Sequence, residues 1–198
     1  MRCLYCDKQI EKESFYSLFF EEDKLCLKCR KALSYKRKIS YIDDLEIESF
    51  YEYDSLFKSL ILQYKECHDE ALKDVFLYGL KEYIEFKYRK YSLIYMPSSI
   101  TKLNERGFNH LDLIFKELKL EKSNGLRYED ELIQEGKSKK DREKMINNFI
   151  YEGKKLGKVL IVDDVLTTGS SIKGAYLALK PYCSQIKGLV LAVSSEKK

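Results

Sequence analysis

The feature that most constrains the fold is a strand, a loop and a helix start within residues 159–171. Val159–Val162 is wholly apolar, and two carboxylates, Asp163 and Asp164, follow it directly. A short run of Thr, Gly and Ser then leads into a helical pattern that stops at Pro181. Such an apolar strand is typical of a parallel sheet buried on both faces, whose ligands bind at the carboxyl ends of the strands. The segment therefore predicts an α/β fold with a ligand site just after the strand.

The loop has the chemistry of a phosphate site. Gly169 permits positive φ and a close approach of the backbone to an anion. The free amides and the dipole of the following helix N-terminus also favour an anion. Hydroxyl donors come from Thr167, Thr168, Ser170 and Ser171. Because the acidic pair can accept hydrogen bonds from vicinal sugar hydroxyls, the segment predicts binding of a ribose 5-phosphate.

The alternative is that the acidic pair caps a helix and the Thr-Gly-Ser loop is an ordinary turn. Two adjacent acids at the end of an apolar strand are costly unless they have a function, which favours the binding site. A nucleoside-triphosphate P-loop is not matched, because residues 153–159 lack its spacing and its final Ser or Thr.

Residues 159–171 resemble the signature with which type I phosphoribosyltransferases bind 5-phosphoribosyl-1-pyrophosphate (PRPP). The resemblance implies that Asp163 and Asp164 contact the ribose hydroxyls and that residues 167–171 contact the 5-phosphate. It also implies that Mg²⁺ accompanies PRPP. The PRPP-binding residues predicted in this way are Asp163, Asp164, Val165, Leu166, Thr167, Thr168, Gly169, Ser170 and Ser171.

Four of the six cysteines form two C-x2-C pairs with nineteen residues between them. These pairs are Cys3 with Cys6 and Cys26 with Cys29. Paired knuckles of this kind supply four thiolates to a closed structural zinc site, and so small a segment needs a metal to fold. The alternative is a pair of redox dithiols or unligated cysteines. Cys67 and Cys183 are predicted to be plain buried cysteines.

Hydrophobic periodicity predicts the other elements. Residues 41–53 are expected to be extended. Helices are expected from Asp54, as the N-cap, to Gln63, from Asp69 to Tyr88, and from Gly107 to Leu118. Strands are expected at Ser92–Met96, Leu126–Tyr128, Phe149–Tyr151, Val159–Val162 and Ile186–Val193. The order predicts a mainly parallel sheet with helices on both faces. Together with this order, the resemblance of residues 159–171 implies a type I phosphoribosyltransferase-like domain over residues 39–198, after a zinc module over residues 1–38.

A cysteine module ahead of such a domain resembles the ComF family. Residues 104–110, Asn-Glu-Arg-Gly-Phe-Asn-His, resemble the Arg-Gly-Phe-Asn-Gln element of that family, with His110 in place of Gln. Tyr64 and Lys65 resemble its Tyr-Lys pair at a helix end. Gln134, Arg142 and Phe149 resemble its Gln, Arg and Phe segment, although Met145 stands where the family usually has Asn.

The resemblance also implies contacts with pyrophosphate or nucleic acid. The residues concerned are Pro97, Ser98, Ser99, Arg106 and Arg142. Met96-Pro97-Ser98-Ser99 departs from the family by being less rich in proline. The histidines, His68 and His110, fit no metal or triad pattern, so no catalytic role is assigned to either.

Charge and hydropathy limit the function classes. The net charge is +4 with 34% charged residues, which permits contact with nucleic acid without requiring it. We expect no signal peptide and no membrane insertion, because the longest apolar runs are too short to span a bilayer, and we expect a cytoplasmic location. Aromatic and basic residues near the knuckles either stack on single strands or fill the module core. They are Phe15, Tyr16, Phe19, Phe20, Lys24, Lys28, Arg30 and Lys31, and a basic run follows at Lys36, Arg37 and Lys38.

Three functions are consistent with these patterns. The ComF resemblance implies a role in natural transformation, in which the chain binds incoming single-stranded DNA and PRPP. A second hypothesis is an active phosphoribosyltransferase that moves phosphoribose from PRPP to an amine or base. A third is an adaptor whose zinc module docks a helicase or another DNA-uptake protein. The catalytic residues of the second hypothesis are not assigned.

Overall fold

Buried apolar strands form the centre of the molecule. The computed structural model describes residues 1–10, 23–67, 69–97, 109–128 and 148–194. The strands in these ranges are β1 (Tyr35–Ile42), β2 (Leu45–Glu52), β3 (Tyr91–Tyr95), β4 (Leu126–Tyr128), β5 (Phe149–Tyr151), β6 (Leu156–Leu166) and β7 (Cys183–Val193). The predicted strands at residues 126–128 and 149–151 are therefore confirmed, and residues 41–53, expected to be extended, consist mainly of the end of β1, a turn and β2.

Five of these strands make a mainly parallel sheet, as the sequence predicts. Their order across the sheet is β1-β2-β7-β6-β3. β1 pairs with β2 in antiparallel fashion, whereas β2 with β7, β7 with β6, and β6 with β3 are parallel pairs. In the centre, Ile161 is level with Ile94 of β3 and Gly188 of β7. β4 and β5 form a separate antiparallel pair.

The helices of the described ranges pack against this sheet or extend from it. They are α1 (Leu27–Ala32), α2 (Ser55–Glu66), α3 (Lys73–Leu77), α4 (Lys81–Tyr88), α5 (His110–Phe115) and α6 (Ser170–Leu179), with short 3-10 turns at Glu70–Leu72 and Lys180–Tyr182. The predicted cap of α2 is confirmed, because the Asp54 carboxylate accepts the amide of Phe57 at 2.8 Å. None of these helices combines the length and the apolar composition required to cross a membrane.

Two helix predictions need correction. The helix expected over residues 69–88 is broken, because Gly79 adopts a φ of +70° between α3 and α4. The helix expected from Gly107 begins at His110 with Asn109 as its N-cap, and the Asn109 side chain accepts the amide of Leu111 at 3.1 Å. Residues 107 and 108 lie outside the described ranges.

Both faces of the sheet are covered by helices. Neighbouring residues of a strand point to opposite faces, and the β2 residues Phe50 and Tyr51 contact different helices. Phe50 packs edge-on against Tyr83 of α4, with ring centroids 6.1 Å apart. Tyr51 packs against Phe57 of α2 at 5.6 Å. The prediction of a mainly parallel sheet with helices on both faces is thus confirmed.

A buried carboxylate, Glu48 of β2, lies under α4. It is fully buried and accepts hydrogen bonds from the hydroxyls of Tyr83 and Tyr88, both at 2.8 Å. Arg37 donates to it, and the Lys87 ammonium is 3.0 Å away. Burial raises the pKa of Glu48, but these four partners outweigh burial and hold the pKa below its ordinary value. The network joins β1, β2 and α4.

The N-terminal cysteine segment packs on the rest of the chain through Arg30. This guanidinium binds both carboxylate oxygens of Asp23 at 2.6 Å and donates to the carbonyl of Val75 at 3.0 Å. It also lies over the ring of Tyr78, 4.8 Å from the centroid. Arg30, expected among residues that could contact nucleic acid, is therefore engaged internally. The predicted module boundary at residue 38 lies within strand β1.

Candidate functional site

Asp163 and Asp164 lie near the carboxyl end of β6, an interior strand of the sheet. Met96, just after β3, donates its amide to the carbonyl of Val162 at 2.9 Å, so the end of β3 lies next to the acidic pair. The amide of Asp164 donates to Asp163 Oδ1 at 2.9 Å, and the amide of Val165 donates to Asp164 Oδ1 at 2.7 Å. Each carboxylate is thus oriented by the backbone that follows it.

Two side chains from other elements meet at Asp164. The Lys65 ammonium, at the end of α2, forms an ion pair with Oδ2 of Asp164, and the Lys65 and Asp164 side chains are 17% and 10% exposed. The Nε2 atom of His110, the first residue of α5, lies 3.2 Å from the same oxygen. His110 is 6% exposed, so it is a buried neighbour of the acidic pair.

The contact between α2 and α5 brings these groups together. The hydroxyl of Tyr64, next to Lys65, donates to the backbone carbonyl of His110 at 2.8 Å. The Asn109 cap fixes the start of α5 one residue earlier. Since Tyr64 is fully buried, the ends of the two helices are held together beside the sheet.

Asp163 is in different surroundings from Asp164. It is only partly buried, and its described neighbours supply one backbone amide. Burial raises the pKa of Asp163 to about 7, while the charge of Lys65 acts in the opposite direction. A carboxyl group with such a pKa changes charge near neutral pH, which is a property common at ligand sites.

The hydroxyl loop, residues 167–171, follows the acidic pair after Val165 and Leu166, the last two residues of β6. Gly169 has a φ of +77° and serves as the N-cap of α6, as predicted from its need for positive φ. Thr167 and Thr168 are exposed, and the hydroxyls of Thr168 and Ser170 lie 3.2 Å apart. The arrangement places these hydroxyls at the N-terminus of a ten-residue helix, whose dipole favours an anion.

Residues at the turn between β1 and β2 pack against this loop and the start of α6. A Cβ atom added at Gly169 would lie 2.2 Å from Cδ1 of Ile42, so the backbone of the loop rests on that side chain. Lys173, one turn into α6, forms a 2.8 Å ion pair with Asp43. The loop is thus fixed to the opposite edge of the sheet as well as to β6.

The four knuckle cysteines converge in the N-terminal segment. The sulfur atoms of Cys3, Cys6, Cys26 and Cys29 all lie within 4.8 Å of one another, and all four residues are free of disulfide bonds. The sulfurs of Cys6 and Cys26 are 3.7 Å apart. A tetrahedral zinc ion with Zn–S bonds of about 2.3 Å separates its sulfurs by about 3.8 Å. The four thiols therefore fit a metal ion such as zinc.

The environment of these thiols is uneven. Burial raises the pKa of the Cys3 thiol, but backbone hydrogen bonds with Cys26, Cys6 and Tyr5 bring it down to about 7. Burial and the neighbouring sulfurs raise the pKa of Cys29. Cys67, expected to be buried, is exposed at the end of α2, and Cys183 is partly buried.

Comparison with known proteins gives one informative relative. No protein-family profile matches the chain. The competence protein ComFC of Streptococcus pneumoniae (strain ATCC BAA-255 / R6) is 28% identical over 126 residues. This match supports membership of the ComF family. It covers 63% of the chain and 57% of the relative, so the chain spans less than two thirds of the relative's length. The ComF resemblance seen in the motifs is confirmed.

Some residues of the ComF-like motifs lie within the described ranges, and others lie outside them. Tyr64, Lys65 and His110, quoted for the resemblance, meet beside Asp164, although no contact with the acidic pair was predicted for them. His110, to which the sequence analysis assigns no catalytic role, is thus a buried neighbour of Asp164. Ser98, Ser99, Arg106, Gln134, Arg142 and Met145 lie outside the described residues, as do Phe15, Tyr16, Phe19, Phe20 and His68.

Pro97 is the remaining residue of the predicted pyrophosphate loop. It lines a shallow cavity of about 220 Å³ together with Tyr95, Asn109 and Ser123. The cavity lies along β3, at the edge of the sheet.

Proposed function

We propose that this ComF-family chain binds PRPP, with Mg²⁺ on the pyrophosphate, in a competence-related function. The observation that carries the proposal is the continuity of Asp163, Asp164 and the hydroxyl loop of residues 167–171 at one strand end. Carboxylates are suited to ribose hydroxyls, and hydroxyls with free helix amides are suited to the 5-phosphate. The phosphoribosyltransferase-like fold is part of this proposal.

The four-cysteine cluster is proposed to hold a structural zinc ion. The metal would link residues 1–10 to α1, because Cys3 and Cys6 lie in that segment and Cys29 lies in the helix. In this role zinc is a cross-link between two chain segments, and the proposed PRPP site is built from other residues.

Titration calorimetry with PRPP, with and without Mg²⁺, tests the binding proposal. Thr168→Val and Ser170→Ala each remove a hydroxyl from the loop, and we expect each to weaken binding by about tenfold, the effect of losing one hydrogen bond to a charged group. Ser184→Ala is the matched control, because Ser184 is exposed near the amino end of β7. Equal binding by the loop variants and the control would place PRPP elsewhere.

The same protein distinguishes binding from transfer. Release of pyrophosphate from PRPP in the presence of candidate amines and bases would indicate a phosphoribosyltransferase. Binding of PRPP without release under any of these conditions would favour a sensor or a binding platform. Fold likeness does not decide between the two.

Single-stranded DNA is the second proposed ligand, and the exposed strand β1 favours it. Tyr35 and Tyr41 are 58% and 67% exposed on this strand, and Lys38 is exposed between them. Aromatic rings and ammonium groups along one strand suit base stacking and phosphate contact. The basic run is weaker than its sequence predicts, because Lys36 pairs with Glu52 at 2.7 Å and Arg37 pairs with Glu48.

Fluorescence anisotropy with a labelled oligonucleotide tests this surface. We expect weak binding that falls steeply with salt, because counterions are released when phosphates are contacted. Tyr41→Ala should weaken binding, whereas Phe86→Ala, which removes a 73% exposed ring on α4, should not. If both variants bind as the parent does, β1 is not the DNA surface, and absence of any binding at low salt would refute the DNA proposal.

A further inference from the structure

The two carboxylates of the acidic pair are not equivalent. Asp164 is 7% exposed, and its two oxygens face protein groups: Oδ1 accepts the amide of Val165, and Oδ2 faces Lys65 and His110. Asp163 is more exposed, and among the described residues a single backbone amide donates to it. A ligand that approaches the pair therefore meets one carboxylate that is already engaged and one that is available.

Transferring Asp164 from Lys65 to a ligand is unfavourable. The Lys65 side chain is 17% exposed, and separating it from Asp164 would leave a largely buried ammonium without this carboxylate. Breaking a buried ion pair by removing one partner is strongly destabilising. The imidazole of His110, 3.2 Å from the same oxygen, would lose its neighbour as well. Asp164 is thus better suited to hold the strand end than to exchange partners.

Asp163 has enough acceptor capacity for a sugar diol. In its ionised form the carboxylate offers about four lone-pair positions, and the amide of Asp164 uses one of them. Two vicinal hydroxyls can donate to the remaining positions without displacing any protein cation. Hydrogen bonds to a charged acceptor are the stronger kind, so this carboxylate can discriminate a ribose from a sugar that lacks one of the two hydroxyls.

We propose that Asp163 alone accepts the ribose hydroxyls, and that Lys65 and His110 are positioning residues that hold Asp164 as an internal anchor. This inference rests on the proposed sugar-phosphate function and divides roles that the family resemblance assigns to both acids. By holding Asp164, Lys65 and His110 fix the orientation of the neighbouring Asp163 side chain and of the loop that follows β6.

The test compares ribose 5-phosphate with 2-deoxyribose 5-phosphate, which differ by one hydroxyl. Their dissociation constants are measured by calorimetry for the full chain and for Asp163→Asn, Asp164→Asn, Lys65→Met and Lys65→Arg. The parent should prefer the ribose compound by about tenfold, as expected for one hydrogen bond to a charged group. Asp163→Asn should bring this ratio close to one and still bind both compounds through the loop.

The positioning residues should behave differently. Lys65→Met should weaken binding of both compounds to the same extent and leave their ratio near tenfold, and Lys65→Arg should restore the affinity by keeping the cation. Asp164→Asn should also keep the ratio and should lower the melting temperature. A purely structural change that does not reach the site would alter the melting temperature without altering either affinity.

The outcomes separate the two proposals. If Asp164→Asn or Lys65→Met abolishes the ratio while Asp163→Asn keeps it, the division of roles is overturned and sugar-phosphate binding stands. If the parent binds neither compound, the proposed function and this inference fall together. Where Asp164→Asn does not fold, the ratio measured for Lys65→Met decides, since loss of the ratio there is incompatible with a positioning role.

Discussion

Replacing Gly169 with Ala tests whether the loop requires the left-handed backbone seen in the structure. Gly169 has a φ of +77°, and the added Cβ would lie 2.2 Å from Cδ1 of Ile42. A non-glycine residue in the left-handed region costs about 1–2 kcal/mol. Moving the end of the Ile42 side chain away from its favoured rotamer adds about 1 kcal/mol. The expected loss in unfolding free energy is therefore about 2–3 kcal/mol.

The assay is thermal unfolding of Gly169→Ala beside Gly157→Ala. For a chain of this size, 1 kcal/mol shifts the melting temperature by roughly 2–4 °C, so Gly169→Ala should lower it by roughly 4–12 °C. Gly157 is an exposed glycine of β6 without positive φ, and an added Cβ there meets nothing within 4 Å. Its replacement should have almost no effect or should stabilise slightly by restricting the unfolded chain.

A third variant separates strain from steric overlap. Gly169→Ala combined with Ile42→Ala removes the contact at 2.2 Å but leaves the left-handed φ. Relative to Ile42→Ala alone, the added cost of Gly169→Ala should fall to the backbone part, about 1–2 kcal/mol. Equal melting temperatures for Gly169→Ala and Gly157→Ala would refute the reasoning, because the loop would then tolerate an ordinary residue.

Three further predictions concern the metal, the buried carboxylate and the acidic pair. The purified protein should contain about one zinc per chain. Cys3→Ser or a chelator should lower the melting temperature of the whole chain, because Arg30 joins the cysteine segment to Val75 and Tyr78. A zinc content near zero in chelator-free preparations would contradict this. Glu48 has a lowered pKa, so its stabilisation exists above the unfolded pKa of about 4.3 and is lost as the pH falls through the folded value. The deficit of Glu48→Gln relative to the parent should therefore be large at pH 7 and shrink below about pH 4, whereas Glu52→Gln, at a surface pair, should cost less than about 1 kcal/mol. Asp163 has a pKa raised to about 7, so the folded state binds more protons than the unfolded state between about pH 4 and pH 7 and loses stability as the pH rises through this window. Asp163→Asn should consequently unfold at a higher temperature than the ligand-free parent at pH 8 and at a similar temperature near pH 4, and a lower temperature at pH 8 would contradict the burial of this carboxyl.

The parts of the fold that the sequence predicts well are those encoded locally. The apolar run ending in Asp163, the cap at Asp54 and the C-x2-C spacing each depend on a few neighbouring residues, and the structure has the corresponding strand, helix and cysteine cluster. The break at Gly79 was not predicted, because an isolated glycine is tolerated inside a helical pattern. In the structure, Gly79 has a left-handed φ and lies between the end of α3 and the start of α4.

The contacts at Asp164 could not be predicted because they are tertiary. Lys65 is 99 residues from Asp164 along the chain and His110 is 54 residues away, by their numbering. A histidine without a metal or triad pattern gives no local signal, and the Asn-His dipeptide reads equally well as a solvated helix turn. The signal that was available lay in the ComF motifs, which placed a Tyr-Lys pair at a helix end and an Asn-His pair one turn inside a later predicted helix.

The electrostatics of the acidic pair therefore depend on packing between α2 and α5 as much as on β6. Tyr64 donates to the carbonyl of His110. His110 faces Asp164, and so does Lys65, the residue that follows Tyr64. Because both helix starts are capped, by Asp54 and by Asn109, the two groups reach the strand end from fixed directions. A carboxylate that is held from two sides leaves its neighbour, Asp163, as the group whose charge can respond to a ligand. Two adjacent acids with the same chemistry thus acquire different surroundings through the helices around them.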